Sequence, residues 1–231
     1  MSRDDRGNFL QKASEQYGEQ ISLRALVQAI PYVGGSLDTL LVGQGAQIQK
    51  RRVEEFLKDL DQRMRLVENV QVLKPTDELF DLMINAFDGV VRTRSQEKRK
   101  RFASVVASQI SAPREWDEAD AALRLVNQLT DFHVAILTVA RNAPLCGAPF
   151  EGLRVITLAP KPLGDEAVVK PTFLPSALPG YSEPVLRMAC SELVGHGLLH
   201  DEGIGRWDGK PLLYFIATDL TAWFFAWLAK P

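Results

Sequence analysis

The sequence predicts a mainly α chain in two parts: a helical domain over 1–129, then over 130–231 a helical unit with a small β-hairpin and a closing helix. Two observations predict it. Up to about residue 129, apolar residues recur at helical spacing with charged residues on the opposite faces. Beyond residue 130 the rhythm changes. Seven of the thirteen prolines fall between Asn142 and Gly180, and short β-branched or aromatic runs lie between glycines and prolines.

The elements follow in order. A long helix is expected from about Ser36 to Val67, bent at Gly43 and Gly45. Leu37, Leu40, Leu41 and Ile48, then Val53, Phe56, Leu57, Leu60, Met64 and Val67, form its apolar stripe. Thr76 is placed to cap the next helix, with Asp77 and Glu78 in the first turn where the dipole favours acids. Phe102, Val105, Val106 and Ile110 mark a third helix ended by Pro113, and a fourth runs from about Arg114 to Leu129. Thr130-Asp131 then caps a short helix, and a Pro-rich insertion occupies about 143–180, with strand candidates at Leu153–Leu158 and Val168–Leu174. A helix from about Ser182 to Val194 ends at Gly195 or Gly197. Leu198–His200 and Leu212–Ala217 form a hairpin about Asp208-Gly209, and Thr218 caps a last helix with Leu220, Trp223, Phe224, Trp227 and Leu228 on its inner stripe.

Helix, helix, two-stranded wing and closing helix is the order of a winged-helix-like domain. The segments QLTDFHVAIL, ELVGHGLLHDEG and YFIATDLTAWFFAWL, with RTRSQEKRKRFASVVASQIS and IPYVGGSLDTLL upstream, resemble a loose group of uncharacterised bacterial helical proteins with a C-terminal winged-helix-like half. Some relatives of that group are linked to abortive phage infection, so the resemblance implies a bacterial protein and a role in phage defence. It brings no catalytic residues with it.

Composition narrows the function by exclusion. Of 231 residues, 46% are hydrophobic and 24% charged, with a net charge of −2. That usage is globular, and the balance supplies no field to draw the chain onto nucleic acid or anionic lipid. Two cysteines build no disulfide framework, and the polar start MSRDDRGNFLQKASEQ has no apolar signal region. A cytoplasmic location is expected. The stretch from Ala25 to Gly45 is long enough for a membrane span, but Asp38 at its centre costs about 2.5–3.5 kcal/mol. Pro31 to Gly35, next to Tyr32, read instead as a sharp corner between helices, and the hairpin at 21–45 reaches a membrane only if released from the core. Gly43-Gln44-Gly45 lacks the third glycine of a dinucleotide loop, and no Gly-Lys-Ser or Gly-Lys-Thr occurs. Cys146, Cys190, His196 and His200 lack the paired spacings of zinc sites. No nucleophile elbow or His-Glu-x-x-His is present. No cofactor, metal or catalytic residue is expected.

The remaining candidates are surfaces. Arg92, Arg94, Lys98, Arg99, Lys100 and Arg101 form a basic run with Lys50-Arg51-Arg52 as a smaller cluster, and Arg206 and Lys210 sit on the wing. These are the candidate nucleic-acid contacts. Against them, Thr130 to Pro231 holds eight Lys or Arg and ten Asp or Glu. The presumptive recognition helix has Arg187 against Glu183 and Glu192, and the wing acids are Asp201, Glu202 and Asp208. A DNA reader needs a basic face. The closing helix is apolar nearly all round, so Trp223, Phe225 and Trp227, with Tyr32 and Asp38 in the N-terminal hairpin, are the candidate interaction residues. The expected activity is non-enzymatic contact with a protein partner or a second copy. The alternatives are a DNA-binding regulator and a membrane-perturbing effector.

Overall fold

The computed structural model describes residues 44–64, 76–159, 169–204 and 210–229. The expected helical hairpin at 21–45, with Tyr32 and Asp38, and the expected wing tip with Arg206 and Asp208 therefore lie outside the described residues, save the backbone of Gln44 and Gly45. The chain divides into two units, 1–128 with 227–231, and 129–226. Among the described residues it is mainly helical, with eight helices and a four-stranded sheet in the C-terminal part.

The first unit contains α1 (Gln44–Met64), α2 (Asp77–Arg92), α3 (Gln96–Ser111) and α4 (Trp116–Gln128). On α1, Phe56, Leu60 and Met64 are buried at intervals of four, one stripe of a helix. Thr76 caps α2 by accepting the Leu79 N–H at 3.2 Å, and Asp77 and Glu78 occupy the first turn. Ser95 caps α3 in the same way, accepting from Lys98 N–H at 3.0 Å. Phe56 and Phe87 meet edge to face with centroids 5.4 Å apart.

α3 packs against α1, α2 and α4, and every residue from Phe102 to Gln109 is buried. Such all-round burial demands that its polar groups be satisfied. Ser104 donates to Lys100 O at 3.0 Å, and Ser108 donates to Trp227 O at 3.0 Å. Gln109 donates to Arg114 O at 2.8 Å and accepts the Arg114 N–H at 3.1 Å, which closes the turn that Pro113 opens. Trp227 is buried in this unit beneath the Arg114 guanidinium, 4.5 Å from the ring centroid.

The second unit contains α5 (Asp131–Asn142), β1 (Val155–Thr157), β2 (Thr172–Phe173), α6 (Leu174–Ala177), α7 (Glu183–Gly195), β3 (Leu199–Asp201), β4 (Tyr214–Ala217) and α8 (Asp219–Leu228) up to Ala226. The sheet order is β2-β1-β4-β3, with β1 and β2 parallel and the other pairs antiparallel. Two segments of the Pro-rich insertion thus join the expected hairpin in one sheet. Their strand character is local; the pairing of β1 with β4 is not, and no short-range pattern encodes it. The register sets Ile156 opposite Phe215 and Asp201 opposite Phe215, and Val155 opposite Ile216 and His200 opposite Ile216. One face of the sheet buries Ile156 and Phe215; on the other, Val155 packs with Cys146, Phe150, Tyr214 and Ile216. The insertion itself supplies that second cover, through a Leu145–Arg154 bridge and the Cys146 N–H donated to Leu153 O at 2.8 Å.

The closing helix is rolled relative to the sequence expectation. Thr221, Phe224 and Trp227 are buried, Leu220 is exposed, and Trp223 and Leu228 are half-buried. Hydroxyls account for the roll: Thr218 donates to Gly197 O at 2.7 Å, and Thr221 donates to Leu198 O. Both anchor the start of α8 to the end of α7.

At Gly89 on α2 a Cβ would lie 2.3 Å from Phe102 Cζ, and Phe102 is fully enclosed. Gly89→Ala is expected to lower stability by about 1–3 kcal/mol through overpacking. Phe102→Leu in the same chain should recover part of that loss, read as a coupling energy in a urea-unfolding double-mutant cycle.

Candidate functional site

α7 is the element whose surface the second unit leaves most open. It begins after Ser182 with Pro184 in the first turn, where the missing N–H is harmless. Leu186, Ala189, Cys190 and Leu193 are buried at i, i+3, i+4 and i+7 against α5 and β3. Burial pushes the Cys190 thiol up to about 12. The opposite side carries Val185, Met188, Ser191, Glu192 and Gly195, and Tyr181 stands just before the helix. Tyr181, Val185 and Met188 keep 43%, 38% and 57% of their surface exposed.

α5 steadies this face. Thr130 Oγ1 accepts the His133 N–H at 3.3 Å, and the Thr130 N–H donates to His133 Nδ1 at 3.1 Å, a reciprocal cap. With Nδ1 accepting, the ring proton resides on Nε2, which lies 2.8 Å from Glu192 Oε2. The Tyr181 ring stacks on Phe132 with centroids 3.8 Å apart. On the far flank of α7, Arg187 is paired with Glu183 at 2.6 Å.

The β3–β4 hairpin is organised from inside. Asp201 is buried, and its carboxylate accepts the Gly203 N–H at 2.9 Å and the Leu212 N–H at 2.7 Å. Sequence counting set Asp201 among the exterior acids of the wing; it is an interior clasp. Gly203 is required there, since a Cβ would lie 2.3 Å from Lys210 O. Leu212 adopts a φ of 58°, a conformation that few non-glycine residues hold. Lys210 is exposed beside this clasp.

The basic run in the first unit does not form a common face. Arg99 is buried; its guanidinium donates to Thr93 O at 3.4 Å and Arg94 O at 3.1 Å and pairs with Glu55 of α1. Arg92 pairs with Asp88 at 2.8 Å. Lys98 donates to Asn127 O at 2.5 Å. Lys100 pairs with Glu97 at 2.7 Å, and that hydrogen bond raises its pKa. Arg94 is exposed and Arg101 half-buried. In the smaller cluster, Lys50 and Arg51 face Glu54 and Glu55 one turn on, and Arg52 donates to Val91 O at 2.6 Å. Of the closing-helix candidates, Trp227 is interior, Trp223 is half-buried, and Phe225 is half-buried under Arg141, 4.4 Å from its ring centroid.

A cleft of about 570 Å³ in the first unit, lined by Asn85, Asp88, Asp117, Asp120, Arg124 and Asn127 over Phe102 and Leu123, went unread in the sequence. The signal was available: Asp117, Asp120, Arg124 and Asn127 share one face of α4 at helical spacing. Among the described residues no three His, Cys, Asp or Glu side chains are placed to hold a metal ion, and no helix is long and apolar enough to cross a membrane. Comparison with protein-family models, curated proteins and solved structures finds no match to the chain.

Two outcomes follow from these contacts. Below about pH 9 the Cys190 thiol is neutral in both folded and unfolded chains; above it the unfolded thiol ionises while the buried one stays protonated to about 12. Stability should therefore fall as pH rises past about 9, by up to about 1.4 kcal/mol per pH unit from this group. The difference in urea midpoint between the wild type and Cys190→Ala, followed from pH 8 to 10.5, measures it. Asp201→Ala leaves the Gly203 and Leu212 N–H groups without their acceptor and should destabilise by about 2–4 kcal/mol, seen as a lower thermal midpoint with a retained helical spectrum.

Proposed function

We propose that the second unit is a winged-helix-like module used for protein contacts, not for reading DNA. The order of its elements supports the first half of that reading. A helix (α5), a strand (β1), the two-residue edge strand β2, a short helix (α6), a longer helix (α7) and an antiparallel hairpin (β3, β4) follow one another, with β4 between β1 and β3 and α8 closing the unit. In a DNA-binding winged helix the element at the place of α7 enters the major groove.

The outward face of α7 carries the second half. A groove-reading helix needs donors for base edges and cations for phosphates. Here the outward residues are Val185, Met188, Ser191 and Glu192, and the helix's single guanidinium is held by Glu183. Set against a polyanion, this face would desolvate carboxylates beside phosphates with nothing in return. The basic run offers no substitute, since Arg99 is interior and Arg92, Lys98 and Lys100 already have partners. A phage-defence setting for the contact rests on the family resemblance alone.

Fluorescence anisotropy with a labelled duplex tests this. The full chain should show no saturable binding between about 50 and 200 mM salt. Tight binding that weakens steeply over that range, and that is lost on Lys210→Glu or Arg94→Glu, would overturn the reading.

A further inference from the structure

We propose that the cleft between α2 and α4 binds a small zwitterion, an ammonium and a carboxylate joined by an apolar chain. The proposal stands on the first unit alone and is independent of the reading of the second.

The cleft holds about 570 Å³, the size of a small-ligand pocket. Its floor is apolar: Phe102 of α3 and Leu123 of α4, both buried. Asn85 and Asp88 of α2 line one wall. On the other, Asp117, Asp120, Arg124 and Asn127 follow at i, i+3, i+7 and i+10, so a single row of α4 faces the cleft. The charges of that row are sorted by sign. Both acids stand toward the start of α4. Arg124 and Asn127 stand toward its end, where the Lys98 ammonium donates to Asn127 O at 2.5 Å.

Helix chemistry accounts for only part of this row. Asp117 lies in the first turn of α4, where the dipole favours an acid. Asp120 lies beyond that turn and precedes Arg124 by four residues, the order and spacing of a helical ion pair. Asp88 with Arg92, and Glu183 with Arg187, close that spacing at 2.8 and 2.6 Å. Among the described residues Asp120 and Arg124 do not, and both are exposed. Asp88 is already neutralised by Arg92, so the cleft offers carboxylates at one end and a guanidinium at the other. Along the helix axis Asp120 and Asp117 stand about 6 and 10 Å from Arg124. A chain of several methylenes bridges that span and covers the apolar floor. A simple amine would leave Arg124 unmet, and a simple carboxylate would leave the two acids unmet. A free ω-amino acid and the C-terminal lysine of a polypeptide share the required chemistry.

The test titrates the full chain with ε-aminocaproate, n-hexylamine, n-hexanoate and an N-acetylated peptide ending in lysine, followed by amide shifts in NMR. ε-Aminocaproate should bind saturably, more weakly as salt rises, and each of the singly charged analogues at least about tenfold more weakly. Arg124→Gln should remove its advantage over n-hexylamine. Asp117→Asn combined with Asp120→Asn should remove its advantage over n-hexanoate. All three positions are exposed, so the circular dichroism spectrum should not change. Tighter binding of the peptide than of ε-aminocaproate identifies a polypeptide end as the source, and the reverse a free molecule; either supports the proposal. No saturable binding of any probe, n-hexylamine binding as well as ε-aminocaproate, or affinity indifferent to both variants would overturn it.

Discussion

The roll of α7 is the constraint on which the rest depends. Leu186, Ala189, Cys190 and Leu193 can enter the interior together in only one rotation of the helix. Burial of the two leucines alone is worth roughly 1.5–3 kcal/mol each, more than any surface contact on the opposite side can oppose. Once that row is inside, the outward set is decided by geometry. The stack of Tyr181 on Phe132 and the meeting of His133 with Glu192 then hold the ends of that outward set against α5.

The two units treat polar groups differently. In the first, α3 is enclosed over eight consecutive residues, so its serines and glutamine turn to backbone carbonyls and close the α3–α4 turn. Arg99 belongs to the same logic: a guanidinium with several donors holds the carbonyls between α2 and α3 and a carboxylate of α1. In the second unit the interior polar groups sit at junctions. Thr130 starts α5, Thr218 and Thr221 fix α8 to the end of α7, and Asp201 closes the hairpin.

Local signals in the sequence carried well and non-local ones did not. Thr76 and Thr130 were readable as caps, and the helix expected from about Ser182 to Val194 lies within a residue of α7 at each end. The strand candidates were visible, but their union with the hairpin depends on pairings some sixty residues apart. The phase of α8 was missed because hydrophobicity favours Leu220, whereas the Thr221 hydroxyl finds a buried acceptor. Charge counting found the acidic balance of the second unit and the lone Arg187 on α7. It could not tell an exterior carboxylate from Asp201, nor a surface cation from Arg99, because composition is blind to which side chains fold inward. The apolar stripe of α7 was present in the letters, yet Val185 and Met188 look like core until the opposite row is seen to be the buried one.

The Asp201 clasp has a further consequence. By holding Gly203 and Leu212 at once, it ties the residues that leave β3 to those that lead into β4. Changes of length or charge in the chain between these two anchors leave that tie as it is. A lineage can vary that loop from one relative to the next, or graft a new one, while the scaffold beneath it keeps its shape.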